Sequence, residues 1–96
     1  MIKVNGIEIH DIGELARFEG LTHLDLSNSG IFDIGVLTLH TDLISLNLSN
    51  NEIFDIGPLT LLTKLKDLDL RGNPISAAQI EQLKKLLPNT DIASDY

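Results

Sequence analysis

A fixed period of 22 residues runs through the middle of this chain, and few folds accommodate it. Leu43 to Lys64 reads LISLNLSNNEIFDIGPLTLLTK; one period earlier, Leu21 to Asp42 reads LTHLDLSNSGIFDIGVLTLHTD, and one period later LKDLDLRGNPIS begins at Leu65. The units share apolar columns at Leu21/Leu43/Leu65, Leu24/Leu46/Leu68, Leu26/Leu48/Leu70 and Ile31/Ile53/Ile75, and the two full units continue through Ile34/Ile56 and Leu37/Leu59. Alternate side chains of a strand share a face, so each Leu-x-Leu points two leucines inward and its middle residue outward. One unit cannot bury those leucines alone, whereas stacked units bury them against each other. The period therefore predicts a stack of rungs, with strands centred on Leu24-Asp25-Leu26, Leu46-Asn47-Leu48 and Leu68-Asp69-Leu70 in one parallel sheet.

The pattern L-x-x-L-x-L-x-x-N-x-I, and the run from Asn51 to Leu65 (NEIFDIGPLTLLTKL), resemble the leucine-rich repeat family, in particular the 22-residue units of internalins and of phosphatase-regulator-type proteins. The resemblance implies an α/β fold: a right-handed solenoid with a parallel sheet on its concave face, short helical turns on its convex face and a C-terminal capping helix. It also implies a protein-binding role. Internalins are secreted and begin with a helical cap; this sequence shows neither feature.

Ninety-six residues suit a single domain. The expected division is an N-terminal cap at 1–20, units at 21–42, 43–64 and 65–75, and a C-terminal cap at 76–92. The chain has no cysteine, hence no disulfide and no thiolate ligand or nucleophile. MIKVNGIEIHDIG lacks an apolar core of signal-peptide length, so a cytoplasmic location is expected, the alternative being an effector exported without such a signal. Net charge is −7, and residues 1–62 hold nine acids against Lys3 and Arg17. Nucleic acid and anionic membranes are disfavoured, because phosphate binding needs a basic footprint. A basic protein partner is permitted, and the chain is expected to be a monomer with at most weak self-association.

At the N-terminus, Asn5-Gly6 between alternating apolar residues reads as a hairpin pairing Ile2 with Ile9, Lys3 with Glu8 and Val4 with Ile7. The rival reading is a degenerate first rung, since Ile2 and Val4 also fall on the leucine columns. Asp11 reads as the cap of a short helix from Ile12 to Phe18, with Asp33 and Asp55 equivalent to it. These three aspartates could hold a cation, but repeated capping of backbone N–H groups explains them more simply. Ser29, Asn51 and Asn73 share one column. The resemblance implies that asparagine there bonds adjacent turns, and serine carries only part of that donor and acceptor set. His40 falls in the apolar column of Phe18 and Leu62. The ordinary reading is a ring against the core with one nitrogen on a carbonyl, and its replacement by leucine is expected to stabilise; the sharper reading is a pH switch. Ser76 and Gln79 form a capping box for a helix whose apolar face is Ile80, Leu83, Leu86 and Leu87, stopped by Pro88. Asn89 to Ile92 reads as a short edge strand and Ala93 to Tyr96 as a frayed tail.

The outward positions of the sheet are the candidate partner site: His23, Asp25, Ser27 and Asn28; Ser45, Asn47, Ser49 and Asn50; Asp67, Asp69, Arg71 and Gly72, with Lys3 and Asn5 as extensions. From these, His23, Asp25, Ser45, Asn47, Asp67, Asp69 and Arg71 are assigned to the partner. The Asp25/Asn47/Asp69 column, with His23 and Asp67, could in principle approach a divalent cation, but no dense ligand motif pins one, so no metal is assigned. The rival partner site is Phe32/Phe54, one rung apart. Those rings are expected to pack at the solenoid corner; the alternative is an exposed strip that docks a partner. No nucleophile elbow, phosphate-binding loop, dinucleotide turn or zinc spacing occurs, so no catalytic or cofactor residues are assigned. The function expected is a protein-binding module using the concave sheet and not an enzyme. The alternatives are a self-associating structural unit and a small hydrolase or metal-dependent enzyme built on His23 and its neighbouring aspartates.

Overall fold

The computed structural model describes residues 2–4 and 6–96. Strands β1 (Ile2–Val4) and β2 (Ile7–Ile9) pair antiparallel, with Ile2 opposite Ile9, Lys3 opposite Glu8 and Val4 opposite Ile7. Asn5 lies outside the described residues, and Gly6 has φ +80°, a backbone that suits glycine and turns the chain back. β1 pairs with β2 alone, so the degenerate-rung reading gives way to the hairpin.

Four further strands form one parallel sheet in chain order: β3 (His23–Asp25), β4 (Ser45–Asn47), β5 (Asp67–Asp69) and β6 (Asp91–Ala93). Leu24, Leu46, Leu68 and Ile92 stand opposite one another, as do His23, Ser45, Asp67 and Asp91. Every leucine of the two strand columns is buried. The chain leaves each of the first three strands through a left-handed residue: Asn28 at φ 55°, Asn50 at φ 57° and Gly72 at φ 74°. Asparagine and glycine are the residues that tolerate this conformation. These positions, expected to serve only as polar surface, therefore also turn the chain from the sheet toward the convex side.

The ladder column closes that turn. Asn51 Oδ1 accepts from the N–H groups of Ser29 and Ile31, both at 3.0 Å, and its amide donates to the carbonyls of Leu26 at 3.0 Å and Leu48 at 2.9 Å. Asn73 repeats this one rung later, accepting from Ile53 N–H at 3.1 Å and donating to Leu48 and Leu70. Each asparagine reaches back to the preceding rung. Among the described residues the Ser29 hydroxyl bonds only within its own turn, donating to the Ser27 carbonyl at 3.0 Å. Its equivalent one period earlier is Ile7, in the hairpin, so no preceding turn awaits a ladder asparagine.

The convex side carries three 3-10 helices, Ile12–Arg17, Gly35–Leu39 and Gly57–Leu61. The first ends at Arg17, one residue short of expectation. It opens on a capping box absent from the sequence reading: Asp11 accepts from Gly13 N–H at 2.7 Å, while Glu14 accepts from the backbone of His10 and Asp11. Asp33 and Asp55 accept likewise from Gly35 and Gly57 N–H, at 2.9 and 3.0 Å. They stand one residue outside the caps, which are Ile34 and Ile56. All three aspartates thus brace turns.

His40 is buried, with Nε2 at 2.9 Å from Leu15 carbonyl. A carbonyl can only accept, so Nε2 carries the proton. The histidine ties two convex turns together. Replacing it with leucine deletes a buried hydrogen bond worth about 1 kcal/mol, which opposes the gain from apolar burial. The bond therefore offsets part of the stabilisation expected of leucine.

Helix α1 (Ala77–Leu86) starts on the Ser76/Gln79 capping box and buries Ile80 and Leu83, with Leu87 at its cap. Leu86 is half exposed, contrary to expectation. At about 100° per residue it lies roughly 60° beyond Leu83, on the side away from Leu87 and Ile80. The tail is held rather than frayed: Ala93 belongs to β6, its carbonyl accepts from Leu70 N–H at 2.8 Å, and Asp95 accepts from Gly72 N–H at 2.9 Å.

Leu46 has no exposed surface and sits at the centre of the stacked column. Leu46→Ala is expected to cost about 2–5 kcal/mol in denaturant unfolding. A loss below about 0.5 kcal/mol, the usual effect of a surface substitution, would show that the rung frame is wrong.

Candidate partner-binding site

The sheet brings six of the seven assigned residues into two adjacent columns, and the seventh, Arg71, follows β5 and bonds to Asp69. His23, Ser45 and Asp67 are in register across β3, β4 and β5, and Asp25, Asn47 and Asp69 form the next outward column. His23, Asp25, Asp67 and Arg71 are exposed, and Ser45, Asn47 and Asp69 are half-buried. β6 adds a residue that the sequence reading missed: Asp91, beside Asp67. The unit-to-unit spacing offered no signal for it, because α1 interrupts the period. Asp67, Asp69 and Asp91 line a shallow depression of about 170 Å³ together with Ser45 and Asn47.

The middle column works for the fold as well as for the surface. Asp25 Oδ1 accepts from Ser27 N–H at 3.0 Å and Ser27 Oγ at 2.7 Å, and Asn47 makes the same pair of bonds to Ser49. In the third rung Asp69 accepts from Arg71 N–H at 3.1 Å and from its guanidinium, Nε at 3.0 Å to Oδ1 and a terminal nitrogen at 2.7 Å to Oδ2. Each acceptor fixes the backbone just past its strand. The side-chain hydrogen bond from Arg71 holds the Asp69 carboxyl below the usual carboxylate range and raises Arg71 in return. Asp67 and Asp91 are the sheet acids with no hydrogen bond to their side chains among the described residues.

His23 Nδ1 lies 3.0 Å from Thr22 Oγ1, and no hydrogen bond joins His23 to Asp25. The pair needed by a hydrolytic reading is therefore not assembled in the described residues. Nor do these residues contain a group of three or more His, Cys, Asp or Glu side chains placed to hold a metal ion. No helix of the described residues is long and apolar enough to cross a membrane.

The rival site departs from expectation. Phe32 is 63% exposed and Phe54 61%, so neither ring is packed into the corner of the solenoid. The neighbouring inward positions are already filled by Ile31, Ile34, Ile53 and Ile56, all buried, which leaves the phenylalanine column facing outward. A second exposed column, Leu39 and Leu61, was not singled out in the sequence because it stands among leucines that are buried.

Residues 19–75 match the family described as leucine rich repeat. The chain belongs to the leucine-rich repeat family. Solved leucine-rich repeat structures share its fold. An internalin (inlF) of Listeria monocytogenes superposes with a TM-score of 0.75 at 24% identity, over 88% of this chain and 24% of that one. A leucine-rich repeat protein of Leptospira interrogans gives 0.72 at 30% identity, over 83% of this chain and 21% of that one. Internalin C2 of Listeria monocytogenes gives 0.66 at 24% identity, over 94% and 48%. The chain thus spans less than half the length of each. Comparison with curated proteins yields no match. Members of the leucine-rich repeat family generally act in protein–protein interaction, through surfaces that stacked rungs present.

The Arg71–Asp69 contact makes the third rung sensitive to acid. A carboxyl whose folded pKa is depressed contributes stability above its unfolded pKa and loses it as pH falls through the folded value. Carbon-detected NMR titration should place the Asp69 midpoint below an ordinary aspartate, and Arg71→Met should move it upward. An unmoved midpoint in the variant would assign the depression to the backbone alone.

Proposed function

We propose that this leucine-rich repeat protein is a binding module whose concave face takes a basic segment of a protein partner. The observation that carries the reading is the charge of the sheet surface. Asp25, Asp67, Asp69 and Asp91 project from it, and Arg71, the one lysine or arginine among the assigned residues, is engaged with Asp69. Exposed acids of one sign steer a complementary partner and raise its association rate. The remaining outward side chains are short and polar, so a partner backbone can approach the strands closely. His23, Ser45 and Asn47 border the acids and would supply orienting hydrogen bonds.

Asp67 and Asp91 make the cleanest test, because their removal disturbs no internal bond. A photo-crosslinking residue at Ser45 should capture the partner, and the purified complex should weaken as salt rises. Asp67→Asn/Asp91→Asn should reduce affinity about tenfold at low salt, through the on-rate, while the stability of the protein stays unchanged. Salt-independent binding that survives this change and is lost in Phe32→Ser/Phe54→Ser would contradict the concave assignment.

A further inference from the structure

The Phe–Asp pair recurs on both full rungs, and the flank it forms lies apart from the concave sheet. Phe32 and Phe54 stand one rung apart with most of their surface in water. Leaving a phenylalanine exposed forgoes the free energy of removing its ring from water. Beside the rings run Asp33 and Asp55, with Asp11 in the same column one period earlier. Each of these carboxylates is pinned through Oδ1 to a glycine N–H, at 2.7 Å for Asp11, 2.9 Å for Asp33 and 3.0 Å for Asp55. Their Oδ2 atoms carry no hydrogen bond or ion pair among the described residues. The flank therefore offers two largely exposed aromatic side chains and three fixed carboxylates, each with one oxygen uncommitted among the described residues. At its N-terminal end it opens into a cleft of about 560 Å³ that Phe32, Asp11, Asp33 and His10 help to line.

We propose that this Phe32/Phe54 ridge is a second docking surface, for an arginine-bearing segment of a partner protein. A wholly apolar segment would cover the rings but strip water from carboxylates without replacing it, which is costly. A guanidinium answers both demands: its face stacks on an aromatic ring and its edge donates to a carboxylate. Lysine is more strongly hydrated and lacks the planar face. The protein makes the same kind of contact internally, where the Arg17 guanidinium lies 5.4 Å from the Phe18 ring centre and its terminal nitrogen 3.5 Å from Glu14. Residues 1–62 contain two bases, Arg17, so engaged, and Lys3 on β1, so the ridge has little cationic competition from its own part of the chain.

The test is an NMR titration of the isotope-labelled protein with the peptide acetyl-Arg-Gly-Arg-Gly-Arg-amide, beside its citrulline isostere, which keeps the shape and loses the charge. Saturating shifts are expected at Phe32 and Phe54 and at the amides of Gly35 and Gly57, absent with the citrulline peptide. Phe32→Ser/Phe54→Ser should weaken this binding about tenfold, as two exposed cation–π contacts imply. Asp33→Asn/Asp55→Asn keeps the oxygen that holds each glycine N–H, so it preserves the turn and should weaken binding too. Asp67→Asn/Asp91→Asn should leave the ridge shifts intact, which separates this surface from the concave one. Shifts confined to the concave strands, equal shifts from the citrulline peptide, or no saturable response at the ridge would each overturn the proposal.

Discussion

The buried amide of the ladder asparagine is the interaction on which the rest of this solenoid depends. Where the chain leaves a strand it stops pairing as a sheet, yet it remains inside the protein, and its N–H and C=O groups still need partners. An apolar side chain could fill the space but would leave those groups bare, at about 1–3 kcal/mol each. Asparagine supplies an acceptor and two donors from one short stem, and Asn51 uses them on Ser29, Ile31, Leu26 and Leu48. The bonds cross between rungs, so they fix the stacking distance as well as the turn. With the turns fixed, the leucine columns can close over one another and no buried side-chain nitrogen or oxygen of the described residues is left without a partner.

Other columns repeat the same solution at smaller scale. Asp25, Asn47 and Asp69 brace the end of each strand, and Asp11, Asp33 and Asp55 brace the entry to each convex turn. Since a fold needs one short acceptor at each such place on every rung, side chains of one type become stacked in lines. Lines of acids and lines of rings are consequently by-products of periodicity, and they are also what a repeat protein has to offer a partner. The surface chemistry of this chain follows from that coupling: the sheet is acidic and shallow, while the Phe–Asp flank is aromatic and acidic.

Much of the frame was legible because its cause is local and repeated. The leucine columns, the parallel strands, the hairpin register and the Ser76 capping box each follow from residue spacing. The convex turns were legible as turns but not as 3-10 helices with Glu14 closing a box. What escaped the sequence depends on where the period breaks. Asp91 joins the sheet only because α1 returns the chain to the edge of β5, and Asp95 holds the tail through Gly72, a contact between distant residues. The phenylalanines escaped for another reason. Period tells which residues share a column but not whether that column faces in or out, and at a solenoid corner a large apolar side chain alone does not decide it. For His40 the apolar column announced burial correctly, but the hydrogen bond to Leu15 required the neighbouring turn to be in place.

The claim that asparagine holds the rungs is tested most directly by amide hydrogen exchange in Asn51→Ala, under conditions where the variant remains folded. The Ile31 N–H, bonded to Asn51 Oδ1, should lose far more protection than the change in global stability explains, while Ile53 N–H, held by Asn73, should follow global stability. Equal protection of both amides in the variant, at unchanged stability, would show that the rungs stack without the ladder and that leucine burial alone sets the fold.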